Sequence, residues 1–393
     1  MKFISSIIFT LLISSILVAQ NRSIDFVDND FAAAKAKAKQ QNKLLFVDAY
    51  TTWCGPCKWM AANKFTNDTI ADFYNEHFVS LKMDMEKGEG IEMAKTYGIR
   101  MYPTLLFLDA EGKVVHRNAG ASRKTRGYID FALKAMNPYE RLSTFDQVWA
   151  SGNTSPGFVK EYLKRLDEAG IRDNSDIIKA FYANLSDDDL TSEGTWYILY
   201  NFDRSIDSRG MVNLLSKKDD YATLYGQDKV DERLYNNYLD HLYSKVYARE
   251  FSMKEMELTM IDIKKKNIPY WQKIILLGDL AHLKKEKKFK DYCEVATEDI
   301  GEYFNEDADK LNEFAWNVFQ WSKKKKEHEI ALGWAKRALE LEENAAILDT
   351  YANLLYKLGR KEEARTAQQK AIDRIKAEGD DAEDYQKTLD SFK

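Results

Sequence analysis

Cysteine is scarce in this chain: of 393 residues, three are cysteine, five proline and five histidine. Two of the cysteines, Cys54 and Cys57, stand close together and the third, Cys293, is far from both. With no second cysteine pair and no two histidines at ligand spacing, a tetrahedral zinc knuckle lacks its four donors. An excess of one charge is also missing. The 58 Lys and Arg against 63 Asp and Glu are interspersed and leave a formal charge of −5, which points away from nucleic acid and from a polybasic membrane surface. Other proteins are the default partners. Long apolar runs are lacking too, for the longest spans Phe3 to Val18 and is shorter than the ~20 residues a membrane-crossing helix needs.

That run has a distinct character. Lys2 precedes it, serines interrupt it, and it ends in Ala19-Gln20-Asn21, the form of a cleavable secretory signal with Ala19 as the last residue removed. Residues 1–19 are therefore expected to direct export, with no stable membrane insertion after cleavage; an uncleaved anchor is the alternative reading. The mature protein is expected to be exported, and periplasmic if the source is a Gram-negative bacterium. No cysteine follows the run closely, so no lipid-bearing N-terminal cysteine is expected. Export matters because disulfides are made, reduced and reshuffled in oxidising compartments. The length suits two or three domains, and 45% hydrophobic content is ordinary for a soluble globular protein.

What is present is concentrated in Trp53-Cys54-Gly55-Pro56-Cys57-Lys58. A cysteine at the first residue of a helix sits among unpaired N–H groups at the positive end of the helix dipole, which favours thiolate. Cys57, three residues on, lies on the same helix face and can attack a mixed disulfide formed on Cys54. Gly55 lets a partner backbone approach closely, and Pro56 gives up an N–H that would be orphaned in the first turn anyway. Just upstream, Leu44 to Tyr50 reads as a strand covered on both faces, with Asp48 as its anomaly. Burial raises the pKa of such a carboxyl and would let it exchange protons with Cys57; an edge-facing aspartate bonded to backbone amides is the plainer alternative.

The motif, following closely on the strand Leu44-Leu45-Phe46-Val47-Asp48, resembles thioredoxin. A second segment, Tyr97-Gly98-Ile99-Arg100-Met101-Tyr102-Pro103-Thr104, resembles the cis-proline segment of thioredoxins and protein disulfide isomerases. Together they cover roughly residues 24 to 137. The residues between the dithiol and the next strand look more like the soluble C-terminal domain of the transmembrane thiol reductase DsbD and its relatives. Lys82-Met83-Asp84-Met85-Glu86 is similar to the Lys-x-Asp-x-Asp strand end of many thioredoxins, with Glu86 departing from the last aspartate. The resemblance implies a proton-handling role for Asp48, with Lys82 as the cation near it. It also implies a cis bond at Tyr102-Pro103 that leaves the Tyr102 backbone free to pair with an extended substrate segment. Tyr102, where thioredoxin usually has an aliphatic residue, resembles the isomerases and leaves reductase against isomerase open.

The expected fold is an α/β thioredoxin fold over residues 24–140 followed by an all-α helical-repeat domain. Residues 141–310 show helical periodicity without a convincing run of strands, and Ser151 to Pro156 is the one linker-like cluster. Within residues 311–393, Ala331 to Leu339 and Ala364 to Ile372 match at an offset of 33 and resemble tetratricopeptide repeats, whose concave face binds peptides. Trp316, Phe319, Trp321 and Trp334 read as core, and Cys293 as a small buried apolar residue.

Two functions remain open at this stage. The first is an exported thiol–disulfide oxidoreductase acting on protein disulfides, with a helical domain that holds a client or docks a partner. Cys54 and Cys57 would form its redox disulfide, Asp48 would complete the catalytic set, and Trp53, Gly55, Pro56, Tyr102 and Pro103 would bind substrate. It needs protein clients, a redox partner that recycles the dithiol, and neither cofactor nor metal. The second is a peptide-binding scaffold or chaperone in which the thioredoxin-like part only recognises extended segments.

Overall fold

The computed structural model describes residues 22–378 and 381–392, so the expected signal segment lies outside the described residues. The strands are β1 (Phe26–Asp28), β2 (Leu44–Tyr50), β3 (Phe78–Asp84), β4 (Thr104–Leu108) and β5 (Val114–Ala119). They form one sheet in the order β1-β3-β2-β4-β5. β3 runs parallel to both β1 and β2, while β4 is antiparallel to β2 and β5 to β4. The helices α1 (Phe31–Gln41), α2 (Gly55–Asn63), α3 (Asp68–His77), α4 (Glu89–Thr96) and α5 (Thr125–Met136) cover both faces.

Side-chain alternation along β2 builds the two halves of the core. Phe46 packs with Leu105, Phe107, Met60, Tyr74 and Tyr128, the face under α2, α3 and α5. Leu45 and Val47 point the other way, to Leu81, Leu106, Ala34, Ala38 and Met93, under α1 and α4. A central strand buried on both faces must be apolar nearly throughout, which is why Leu44–Tyr50 reads as a continuous hydrophobic run. The Asp30 carboxylate accepts from Ala33 N at 2.8 Å and starts α1. Ser122 Oγ accepts from Lys124 N at 3.2 Å in the turn before α5.

The chain divides into two compact units, ending and beginning at Asp203 and Arg204. The first therefore includes α6 (Leu142–Ala150), α7 (Pro156–Glu168), α8 (Ser175–Ala183) and α9 (Glu193–Asn201). They share a core built on Val159, Leu163, Phe181 and Ile198, and α6 and α7 lie against β5. The buried His116 imidazole of β5 accepts from Leu142 N through Nδ1 at 3.3 Å. Gly170, in the turn after α7 with φ +72°, lies against the cis-proline segment; a Cβ there would come within 2.7 Å of Met101 Sδ and of Ala119 Cβ. Ser151 to Pro156, which reads as a linker, is the α6–α7 turn inside this unit, with Pro156 in the first turn of α7.

The second unit is helical throughout its described residues: α10 (Arg209–Ser216), α11 (Lys218–Tyr225), α12 (Gln227–Val246), α13 (Met253–Lys265), α14 (Trp271–Lys285), α15 (Phe289–Tyr303), α16 (Ala308–Trp321), α17 (Lys325–Leu341), α18 (Ala345–Lys357), α19 (Lys361–Ala377) and α20 (Glu383–Ser391). Sequential helices pack on one another from α14 to α20. The two segments that match at an offset of 33 lie in α17 and α19, on either side of α18. Cys293 and Trp334 are buried in the core shared by α15, α16 and α17, and Phe319 and Trp321 pack at its margin.

Candidate functional site: a disulfide at a helix N-terminus

β2, the middle strand, ends at Tyr50 and α2 begins five residues later at Gly55, so Cys54 falls at the N-cap of α2. Its sulfur accepts from Cys57 N at 3.1 Å, answering one of the orphan donors of the first turn. Cys54 and Cys57 are joined in a disulfide with Cα atoms 5.3 Å apart. Both are nearly covered, whereas Trp53 beside them is 65% exposed. The Trp53 indole donates to Glu86 Oε1 and Oε2 at 3.0 and 2.9 Å and stands edge-on to the Tyr102 ring at 6.0 Å. Tyr102-Pro103 is a cis peptide.

Asp48 lies beneath this surface. It shares the sheet face of Phe46, the face α2 covers, and pairs in register with Lys82 on one side and Leu105 on the other. The carboxyl is buried, and neither oxygen has a hydrogen-bond partner among the described residues. Desolvation pushes it up from 3.8 to about 7, and the Lys82 ammonium holds it back from rising further. Lys82 lies with Nζ 5.0 Å from the centre of the Tyr50 ring. The alternative of an aspartate tied to backbone amides finds no such bond in the structure.

Beside the disulfide is a cavity of about 420 Å³ lined by Gly55, Pro56 and Trp59 of α2, by Tyr102 and Pro103, and by Arg123. The β4–β5 pairing closes it, since Gly120 N donates to Pro103 O at 2.8 Å and so carries the Gly120–Arg123 loop alongside the cis-proline. All eight residues expected from sequence to act or bind stand around the disulfide or below it. Sequence reasoning missed the indole anchor at Glu86 and the cavity wall of Trp59 and Arg123. Glu86 was visible only as a departure from a familiar strand end, and nothing local to Arg123 signals its place.

Comparison with known proteins agrees with this geometry. A family model described as thioredoxin-like matches residues 25–110. Thioredoxin-1 of Drosophila melanogaster is 42% identical over 67 residues, 17% of this chain and 58% of that protein. Thioredoxin H4 of Arabidopsis thaliana is 33% identical over 88 residues, 22% of this chain and 69% of that protein. A solution structure of a candidate disulphide-isomerase from Bacteroides thetaiotaomicron is 48% identical, covering 28% of this chain and 93% of that one, with a TM-score of 0.27. The match thus spans little over half of the fruit-fly protein and less than a third of this chain. With the dithiol, the sheet order and the plant relative in accord, the chain belongs to the thioredoxin-like family.

Proposed function

We propose that the protein is an exported thiol–disulfide oxidoreductase that acts on protein disulfides, with its helical region engaging a client or a partner. The observation that carries this reading is the Cys54–Cys57 disulfide at the N-cap of α2, above a buried carboxyl that no side chain answers.

In the reduced protein, the Cys54 thiolate attacks one sulfur of a client disulfide, forming a mixed disulfide and releasing the other client sulfur as a thiolate that takes a proton from water. Cys57 loses its proton to Asp48 and attacks Cys54 Sγ. The Cys54–Cys57 bond forms and the second client thiolate leaves. Two electrons pass from the dithiol to the client, and the reverse sequence oxidises a client dithiol. An Asp48 carboxyl near 7 can take and return a proton at neutral pH, which a surface aspartate cannot. Trp53, Tyr102 and Pro103 form the surface along which an extended client segment lies, and Gly55 and Pro56 let its backbone approach. A separate redox partner returns the dithiol to its working state. The offset-33 helices suit a tetratricopeptide-type surface for docking such proteins.

Reduction of insulin by dithiothreitol or glutathione, catalysed by wild type and by Cys54→Ser, tests the reading. The substitution is expected to lower the catalysed rate by roughly a thousandfold or more, and Cys57→Ala is expected to accumulate covalent mixed disulfides with clients. Equal rates for wild type and Cys54→Ser would leave the scaffold function in its place.

A further inference from the structure

The two walls of the substrate cleft carry opposite charge. On one side stands Glu86, which holds the Trp53 indole edge-on to the Tyr102 ring; burial and then the charges of Glu86 and Asp84 raise the Tyr102 phenol. On the other side is Arg123, whose guanidinium lies 4.7 Å from the centre of the Trp59 ring, with Lys64 Nζ 5.3 Å from the same ring. Arg123 and Trp59 both line the cavity next to Gly55, Pro56 and Pro103. Glu86 has the Trp53 N–H to answer it. Arg123 has no ion pair or hydrogen bond to any described residue, and its flat cation is held against an aromatic face at the margin of the cavity.

We propose that this cavity is a client-selecting subsite that takes an acidic side chain, Glu or Asp, flanking the client cysteine, with Arg123 as the residue that selects it. The inference rests on the oxidoreductase reading. An extended segment crossing Tyr102-Pro103 sends alternate side chains to one wall or the other. A carboxylate on the Arg123 side gains a planar, bidentate partner. The same residue on the Glu86 side meets like charge, and a lysine experiences the reverse. Surface pairs of this kind are modest, so the effect is a preference and not a gate.

The test uses the full chain in its reduced form and a family of short peptides, each with one cysteine bearing a 2-thiopyridyl group. Cys54 thiolate attacks the peptide sulfur and displaces pyridine-2-thiolate, which tautomerises to the absorbing thione on protonation, so the rate constant is read directly. Glu, Gln and Lys are placed in turn at the two positions on either side of the cysteine. At one position, Glu is expected to react about fivefold faster than Lys at low salt, the preference fading as salt is added. Arg123→Gln should bring that ratio to near one, and Arg123→Glu should invert it. Bis(2-hydroxyethyl) disulfide, small and neutral, should be reduced by the wild-type protein at a rate that salt leaves unchanged. Equal rates for Glu and Lys at every position overturn the subsite, as does a preference that survives Arg123→Gln. Failure to reduce the neutral disulfide as well overturns the oxidoreductase reading along with it.

Discussion

Asp48 in the first compact unit is buried and Asp349 in the second is partly buried, and the two are treated oppositely. In α18, Asp349 accepts from Gln368 Nε2 at 2.7 Å and from Asn353 Nδ2 at 3.2 Å; burial raises its carboxyl, and these two bonds pull it back. In β2, Asp48 has only the field of Lys82 against a larger desolvation penalty. A carboxyl that holds helices together is hydrogen-bonded, because leaving it unmet costs stability and returns none. A carboxyl left unmet next to a disulfide costs the same stability and gains a proton affinity near neutrality. The cysteines repeat the contrast. Cys54 begins a helix where N–H groups converge, whereas Cys293 lies in mid-helix among apolar side chains, its thiol pushed up to about 12 by burial.

The largest expected effect comes from Asp48→Asn, which breaks the contrast at its unanswered member. A carboxyl raised in the folded state is protonated there while the unfolded chain is already ionised, so stability falls as pH rises from 3.8 to about 7 and is level above that. A shift of that size corresponds to about 4 kcal/mol of lost stability at pH 8. The asparagine escapes it but buries an amide, which leaves a net gain of about 2 kcal/mol. Urea denaturation at pH 8 and pH 4 is expected to show the variant more stable than wild type at the first and no longer so at the second. His116 works in the other direction: its burial and the charges of Lys134, Arg165 and Arg141 lower it to about 3, so its contribution is intact above 6.5 and is lost as pH falls towards 3. Because His116 is present in both proteins, the difference between them isolates Asp48. In the same variant, resolution of a Cys54 mixed disulfide at pH 7 should slow by about tenfold or more. A variant neither stabilised at pH 8 nor slowed would place Asp48 with Asp349 as a structural residue.

What sequence made legible follows the distance over which the chemistry is written. Cys54, Cys57 and the intervening Gly55 and Pro56 are a local pattern, and Asp48 stands out because ionised carboxyls are not expected in the middle of an apolar strand. Tyr102-Pro103 came from a second motif in the right order. Glu86 and Arg123 depend on strand order: β3 must lie beside β2 to bring Glu86 to Trp53, and β5 beside β4 to bring Arg123 to the cavity. No short-range spacing encodes those neighbours. The same reason hid α6 to α9 as part of the first unit, since their attachment is made between residues far apart in sequence: His116 of β5 with Leu142 N of α6, and Lys134 of α5 with Glu168 of α7 at 2.7 Å.

A smaller effect separates the cysteines. Cys293→Ser puts a hydroxyl in an apolar core, and a loss of about 1–2 kcal/mol is expected in chemical denaturation, with insulin reduction unchanged from wild type. A fall in catalysed rate without a fall in stability would give Cys293 a part in the chemistry that its burial and high thiol pKa deny it.

The smallest effect falls on the answered aspartate. Gln368 donates to Asp349 and also to Tyr385 O at 3.1 Å, so one amide ties α18, α19 and α20 together. Gln368→Ala removes both bonds and leaves the Asp349 carboxyl with Asn353 alone. The carboxyl should then rise further and take up its proton at a higher pH, exchanging an ionic hydrogen bond for a neutral acid. Because protonation offers that escape, the expected loss in urea denaturation is only about 1 kcal/mol at pH 5 and grows towards pH 8, where the charge is harder to discharge. Thiol exchange should be untouched. If the loss were instead the same at both pH values, Asp349 would be keeping its charge without Gln368, and the contrast with Asp48 would rest on desolvation alone.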